Sequence, residues 1–209
     1  MRILANFAVF EGGDGSGTST QLALLKEKFA ARLPDTPVFH PTFEPTDGAI
    51  GRLIRSALKN DLRLQAGTLA RLFAADRNEH LNSSGGIEDR CRNGELVVCD
   101  RYTLSSMVYQ GIECGPDLPR SLNSDFPAPE LLVFFDIDPV ISQERLRDRH
   151  SLEIFEYPEF QIKVREKYLS LLDEYRSMNV IVEVIDASQS VEKVAGEVWR
   201  ALSKMPILK

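Results

Sequence analysis

The sequence lacks the features that mark a membrane protein, a disulfide-stabilised domain or a nucleic-acid-binding surface. No apolar run approaches the roughly 20 residues that a membrane-spanning helix needs. The three cysteines, Cys91, Cys99 and Cys114, follow neither a metal-binding nor a disulfide pattern. Lys and Arg total 25 against 31 Asp and Glu, and the resulting net charge of -6 argues against an extended nucleic-acid-binding surface. We therefore expect a cytoplasmic protein with reduced thiols and with neither a membrane nor a nucleic acid as partner.

Short apolar runs that alternate with helical patterns indicate the fold. Five runs are typical of buried strands: residues 3–10, 38–39, 96–99, 131–135 and 180–185. Helical patterns lie between them, at about 19–33, 49–58, 66–81, after Tyr102, at 139–149, 163–178 and 191–202. This alternation predicts one α/β domain spanning residues 1–209, with a parallel sheet covered by helices on both faces. Residues 111–129 contain several prolines and are expected to form an irregular connection.

A glycine-rich segment stands between the first predicted strand and the first predicted helix. The spacing of Gly12 and Gly17 in this context predicts a phosphate-binding loop, because backbone amides and the start of a helix can together hold a polyphosphate. The Lys that normally follows the second glycine is replaced by Thr18, and Ser19 stands where a magnesium ligand is expected. The predicted phosphate-binding residues are Gly12, Gly13, Asp14, Gly15, Ser16, Gly17, Thr18, Ser19 and Thr20.

Asp100 and Arg101 follow the third predicted strand. Ligands of open parallel sheets gather at the carboxyl ends of the strands, so both side chains are expected beside the glycine loop. An acid there can hold a magnesium-bound water, and Arg can bind a phosphate through two hydrogen bonds. A structural Asp–Arg pair at the start of the next helix is the alternative interpretation.

Four segments resemble motifs of the thymidylate kinase family and occur in the order found there. Residues 100–111 (DRYTLSSMVYQG), 72–80 (LFAADRNEH) and 42–45 (TFEP) resemble the family's D-R-Y-x-x-S-S-x-x-Y-Q-G, L-F-A-A-D-R-x-x-H and T-R-E-P. Residues 144–156 resemble its arginine-rich lid. The resemblance implies a P-loop NTPase-type three-layer α/β/α fold with a five-stranded parallel sheet and a short lid at about 142–157. It further implies a homodimer that transfers the γ-phosphoryl group of ATP to dTMP with Mg²⁺.

The resemblance also assigns substrate-binding residues. Phe73 would stack on the pyrimidine, and Arg77, on the same helical face, would bind the base edge. Ser106 would contact the base, Tyr109 would crowd the sugar C2′, and Glu44 would belong to the same substrate-binding set. Without the resemblance, the preferred interpretation would be an ordinary core residue for Phe73 and a surface ion pair for Arg77.

Catalytic and metal-binding roles follow from the same resemblance. Asp14 would approach the sugar 3′-hydroxyl or order a metal-bound water, and Arg101 would hold the acceptor phosphate. Ser19 and Asp100 would hold Mg²⁺, directly or through water. Since Gly15 offers no side chain, the catalytic arginine would come from the lid, with Arg147 and Arg149 as the candidates beside Arg145. A solvated basic helix face is the alternative interpretation of these lid arginines.

Two expected basic residues are missing, which leaves the function open to alternatives. Thr18 replaces the loop Lys, and Phe43 replaces the Arg of T-R-E-P. Arg52, Arg55 and the lid arginines are the candidate replacements for the lost charge. The first hypothesis is an active dTMP kinase; the alternatives are a non-catalytic nucleotide-binding protein and a kinase for a different deoxynucleotide or nucleoside.

Overall fold

The computed structural model describes residues 2–31, 36–146, 155 and 157–209, which contain a five-stranded sheet. The strands lie in the order β2–β3–β1–β4–β5, and every neighbouring pair is parallel. They are β1 (Ile3–Gly12), β2 (Phe39–Phe43), β3 (Leu96–Asp100), β4 (Ala128–Asp136) and β5 (Ile181–Asp186). The predicted α/β fold with a five-stranded parallel sheet is thus confirmed.

Helices connect the strands in sequence order. They are α1 (Thr18–Ala30), α2 (Ala49–Leu58), α3 (Ala66–Asn82), α4 (Ile87–Arg92), α5 (Thr103–Cys114), α6 (Asp117–Asn123), α7 (Pro139–Leu146), α8 (Pro158–Ser177) and α9 (Val191–Leu202), followed by a 3₁₀ turn at Pro206–Leu208. In the described part of the chain, none of the helices has the length and apolar character required to cross a membrane.

The side chains of β1 alternate between two apolar layers. Ala8 and Phe10 pack in one cluster with side chains of α1 and α9, whereas Phe7 and Val9 pack in another with side chains of α3 and α4. A strand that is buried on both faces must present apolar groups at every position, which explains the continuous apolar run in the sequence. The sheet is therefore the middle of three layers.

The proline-rich stretch 111–129 is more ordered than the sequence suggests. Helix α5 continues to Cys114, α6 spans Asp117–Asn123, and β4 begins at Ala128. Pro119 is the third residue of α6, where a backbone amide would have no acceptor within the helix, so proline is tolerated there. The prediction of an irregular connection was wrong for this reason.

Prolines also explain two further differences in element boundaries. Strand β2 extends through Pro41, which a sheet accepts because β2 lies at its edge. Helix α8 begins at Pro158, before the predicted start at residue 163, and Pro is favoured in the first turn. Helix α1 ends at Ala30, before the predicted end at residue 33.

The sheet brings the two predicted phosphate-binding segments together. Phe10 of β1 is paired with Asp100 at the end of β3. Strand β1 leads directly into the glycine loop, and β3 leads into Arg101 and α5. The loop and the Asp100–Arg101 pair therefore emerge side by side from adjacent strands, as predicted.

Candidate active site

The glycine loop has backbone conformations that require glycine at two positions. Gly15 and Gly17 have φ values of 82° and 92°, in the left-handed region. A Cβ atom at Gly15 would lie 2.6 Å from the Ser142 carbonyl oxygen of α7. Helix α1 begins at Thr18 immediately afterwards, so its unpaired amides face the space that the loop encloses.

A cavity of about 440 Å³ lies against this loop. Its walls include residues 13–21, Asp100, Arg101, Arg145 and Ala187. Of the described residues that line it, Arg101 and Arg145 supply the positive charge, and Arg145 Nη2 donates to the Ala187 carbonyl at 2.9 Å. Thr18 is buried, with 7% of its surface exposed. Arg147 and Arg149, the predicted lid arginines, lie outside the described residues.

Ser19 and Asp100 meet at the edge of this cavity. Ser19 Oγ donates to Asp100 Oδ2 at 2.6 Å, and Asp100 Oδ1 is buried with no hydrogen-bond partner among the described residues. A buried carboxylate oxygen without a donor favours a cation, and hydroxyl and carboxylate oxygens are ligands that Mg²⁺ accepts. The pair therefore fits the predicted magnesium site.

Arg101 lines two cavities: the one at the glycine loop and a second cavity, described below, beside α3 and α5. Its backbone has a φ of 70°, and its amide donates to the Phe10 carbonyl at 2.8 Å. Its Nη2 donates to Asp14 Oδ1 at 2.5 Å, and its guanidinium lies 5.2 Å from the Tyr109 ring centre. Burial alone would lower the pKa of Arg101, but the neighbouring Tyr109 and Asp14 groups raise it above its usual value.

Glu11 supports the turn that carries Arg101. Its buried carboxylate accepts from the Tyr102 amide at 2.9 Å, the Ser105 amide at 3.2 Å and the Ser105 hydroxyl at 2.6 Å. Tyr168 Oη donates to it at 3.0 Å. Burial raises the pKa of Glu11. These contacts give Glu11 a structural role, because they tie β1 to the first turn of α5.

The second cavity, of about 160 Å³, brings the predicted substrate-binding residues together. It is lined by Glu44, Phe73, Arg77, Arg101, Ser106 and Tyr109 and also by Asp14. Tyr109 Oη donates to Asp14 Oδ2 at 3.2 Å. The loop that faces one cavity thus contributes a carboxylate to the other.

Arg77 is held in the wall of this cavity by a buried polar network. Its Nε donates to Glu44 Oε2 at 2.9 Å, its Nη1 donates to Ser106 Oγ at 3.2 Å, and the same Nη1 donates to Asn123 Oδ1. Burial would lower the pKa of Arg77, but the Glu44 carboxylate raises it. Glu44 lines the cavity as predicted, and its carboxylate is paired with Arg77 and lies 3.1 Å from His80 Nδ1.

Comparisons with known proteins indicate one family. Residues 10–198 match the family model described as thymidylate kinase. A Treponema pallidum (strain Nichols) protein named as a candidate thymidylate kinase is 42% identical over 212 residues, covering 100% of both chains. The chain belongs to the thymidylate kinase family.

Further relatives and one solved structure extend the comparison. A probable thymidylate kinase of Pyrobaculum aerophilum is 38% identical, covering 95% of this chain and 97% of that protein. The structure of thymidylate kinase from Candida albicans aligns with a TM-score of 0.81 at 23% identity, covering 98% of this chain and 94% of the other. At that identity the structural match supports the fold alone.

In this member of the thymidylate kinase family, the structure adds two residues that the sequence analysis did not name. Gln110 lines the second cavity, and its Oε1 is buried without a hydrogen-bond partner among the described residues. Gln161 of α8 contacts Asp14 through its side chain. Gln110 was accessible from sequence, since it follows Tyr109 within a family motif, whereas the contact of Gln161 depends on the packing of α8.

Of the two α2 arginines considered as replacements for lost charge, the structure brings one to the site. Arg55 lines the second cavity, its Nη1 donates to the Pro45 carbonyl at 2.5 Å, and its guanidinium lies 5.4 Å from the Phe43 ring centre. Arg52 is exposed and donates to the Asp47 carbonyl at 2.6 Å. The described residues that line the two cavities do not include Arg52.

Proposed function

We propose that the protein phosphorylates dTMP to dTDP with ATP, and that the two cavities are its donor and acceptor sites. Phosphorylation of dTMP is the activity of the family to which the chain belongs. The observation that carries the assignment of residues is the position of Arg101 and Asp14, which line both cavities and contact each other. Phosphoryl transfer needs two substrates held in line with their charge neutralised, and this junction is where their phosphates would meet.

The donor site would hold ATP on the glycine loop. Of the predicted phosphate-binding residues, Gly13, Asp14, Gly15, Ser16, Gly17, Thr18, Ser19 and Thr20 line the cavity at the start of α1, whereas Gly12 is the last residue of β1. Backbone amides of this loop would hold the phosphates. Ser19 and Asp100 would hold Mg²⁺, which supplies charge neutralisation on the donor phosphates when it is bound. Arg145 is, with Arg101, a described cation that lines this cavity, and Arg147 and Arg149 are proposed to add charge from the lid.

The acceptor site would hold the thymine base between Phe73, Arg77 and Gln110. Thymine presents the O4 acceptor, whereas cytosine presents an amino donor at the same position. A buried Arg77 can donate to O4, and the unpartnered Gln110 Oε1 can accept the N3 hydrogen. Ser106 is proposed to act through Arg77, to which it is hydrogen-bonded, and Glu44 holds Arg77 in place.

The acceptor phosphate would lie near Arg101 and Arg55. Phe43 provides no charge, but the Arg55 guanidinium is close to its ring and lines the same cavity as Arg101. Arg55 would therefore supply the cation that Arg at position 43 supplies elsewhere in the family. Asp14 and Tyr109 would lie near the sugar, with Tyr109 excluding a 2′-hydroxyl.

The assembly and location of the enzyme complete the proposal. A homodimer rests on the family resemblance, and a cytoplasmic location rests on the sequence composition. Both are expectations for the whole chain and do not enter the assignment of the site.

A coupled assay with ATP and Mg²⁺ tests the function across dTMP, dUMP, dCMP, UMP and the corresponding nucleosides. We expect dTMP to give a higher kcat/KM than dCMP, because thymine but not cytosine has the O4 acceptor and the N3 hydrogen that would satisfy Arg77 and Gln110. It should also exceed UMP, because Tyr109 would exclude the 2′-hydroxyl. The base of dUMP satisfies the same two contacts, so dUMP should be accepted as well. Turnover that is fastest with another acceptor would identify a kinase of different specificity. Absence of turnover with every acceptor, although ATP and dTMP bind, would identify a non-catalytic nucleotide-binding protein.

A further inference from the structure

Gln161 connects helix α8 to the glycine loop through a buried side-chain amide. It lies in the first turns of α8, and 2% of its surface is exposed. Its Oε1 accepts from the Asp14 backbone amide at 3.2 Å, and its Nε2 donates to Asp14 Oδ2 at 2.7 Å. One side chain therefore holds both the backbone and the carboxylate of the same loop residue.

The remaining contacts of Gln161 fix the amide itself. Its Nε2 also donates to the Phe155 carbonyl at 2.8 Å, and Phe155 lines the acceptor cavity. A Cβ atom at Gly13 would lie 3.0 Å from Gln161 Oε1, so the loop backbone passes directly beside the amide. Because the amide is enclosed in this way, its oxygen and nitrogen atoms cannot exchange hydrogen-bond partners unless the loop moves.

The orientation of Asp14 matters because its two carboxylate oxygens have different partners. Oδ1 accepts from Arg101, whereas Oδ2 accepts from Tyr109 and from Gln161. Removal of the Gln161 contact would leave Tyr109, at 3.2 Å, as the remaining partner of Oδ2 among the described residues and would free the Asp14 amide. The Asp14 carboxylate and the Arg101 guanidinium paired with it would then no longer be held in one position.

We propose that Gln161 is a positioning residue for phosphoryl transfer, which acts by fixing Asp14 and thereby Arg101 at the junction of the two sites. This role rests on the proposed function. Among the side chains of this length, Gln alone offers a carbonyl for the Asp14 amide and an amino group for the Asp14 carboxylate. Ionised Glu would place a second carboxylate against Asp14, and Met would fill the volume without hydrogen bonds.

The kinetic test compares Gln161→Met and Gln161→Glu with the matched control Lys163→Ala, an exposed residue of the same helix. We expect both Gln161 variants to lower kcat by about 10- to 100-fold, because small misplacements of reacting groups have costs of that size. The KM values for ATP and dTMP should change by less than about threefold, since Gln161 lines neither of the two cavities and would contact neither substrate. An equal loss in Lys163→Ala, or a change confined to KM, would overturn the proposal.

A double-mutant cycle and hydrogen exchange separate positioning from general loss of structure. In an Asp14→Asn background, Gln161→Met should have little further effect on kcat, because the residue acts through Asp14. Amide exchange in a peptide covering residues 12–17 should be about two- to tenfold faster in Gln161→Met than in the wild type.

The exchange measurement also distinguishes this proposal from the proposed function. It reports the contact between Gln161 and Asp14 without any substrate. If exchange were faster in Gln161→Met but the wild-type protein did not turn over dTMP, the contact would be supported and the proposed activity would be rejected. Unchanged exchange, or additive losses in the double-mutant cycle of an active enzyme, would show that Gln161 does not fix Asp14.

Discussion

Thr18 is the residue that departs furthest from the usual phosphate-binding loop. It is the first residue of α1, lines the donor cavity and offers a hydroxyl where an ammonium group is expected. The positive charge that lines this cavity among the described residues comes from Arg101 and Arg145 instead. Charge neutralisation in this enzyme would thus come from these two arginine side chains and not from a lysine in the loop.

Restoring the lysine tests this interpretation. We expect Thr18→Lys to keep the wild-type kcat or to raise it by up to about 100-fold, because one well-placed cationic group has an effect of that order. The check is steady-state kcat together with the dissociation constant for ATP. A collapse of kcat with ATP binding intact would show that the loop is built around a small residue at this position.

Arg55 gives the corresponding prediction on the acceptor side. Loss of one charge-assisted hydrogen bond in Arg55→Met should raise the KM for dTMP by about tenfold or more while leaving the KM for ATP near its wild-type value. Arg52→Met is the matched control, because Arg52 lies one turn away on α2 and is exposed. Equal effects of the two substitutions on the KM for dTMP would argue against Arg55 as the replacement for the missing arginine at Phe43.

At the scale of elements, the close contact between the glycine loop and α7 explains the absence of a side chain at Gly15. A Cβ at Gly15 would lie 2.6 Å from a backbone oxygen of α7, whereas a Cβ at Gly17 would meet nothing within 4 Å. Both residues have left-handed backbones. An arginine at position 15 is therefore incompatible with this packing, which supports the proposal that the lid supplies the catalytic cation.

Two alanine substitutions separate the backbone effect from the packing effect. Gly17→Ala should lower the free energy of unfolding by about 1–2 kcal/mol through its left-handed φ alone. Gly15→Ala should lower it by a further 1–3 kcal/mol or so, because α7 must shift to admit the methyl group. Urea unfolding of both variants without ligands measures the difference. Equal losses would mean that α7 moves away from the loop at little cost.

Sequence patterns predicted the elements that depend on local signals and missed those that depend on packing. The positions of Ser19 and Asp100 could be predicted, since Asp100 ends β3, the loop before Ser19 follows β1, and the ends of neighbouring parallel strands meet. The role of Gln161 could not, because its contact with Asp14 spans 147 residues of sequence and depends on how α8 lies against the loop. Helix α6 was missed because its proline lies in a first turn, where local rules do not distinguish a helix from a connection.

At the scale of the whole molecule, the sheet determines that the two cavities share one junction. Strands β1 and β3 are neighbours, so Asp14 and Arg101 emerge together and take part in both cavities. Binding at either site should therefore stabilise the same residues. The Ser19–Asp100 pair and the Asp14–Arg101 junction would then unfold together with the rest of the domain. Ligand binding at either cavity should therefore raise the free energy of unfolding of the whole domain.

Thermal unfolding with ligands tests this coupling. A non-hydrolysable ATP analogue with Mg²⁺, or dTMP, at 100 times its dissociation constant should raise the free energy of unfolding by about 2.7 kcal/mol. For a chain of this length that corresponds to an increase in Tm of about 5–11 °C.

Removal of Mg²⁺ by EDTA should reduce the shift caused by the ATP analogue but not the shift caused by dTMP, because Ser19 and Asp100 lie at the cavity proposed to hold ATP. In Asp100→Asn the effect of EDTA should disappear; if it persisted in full, Mg²⁺ would be held by residues other than this pair.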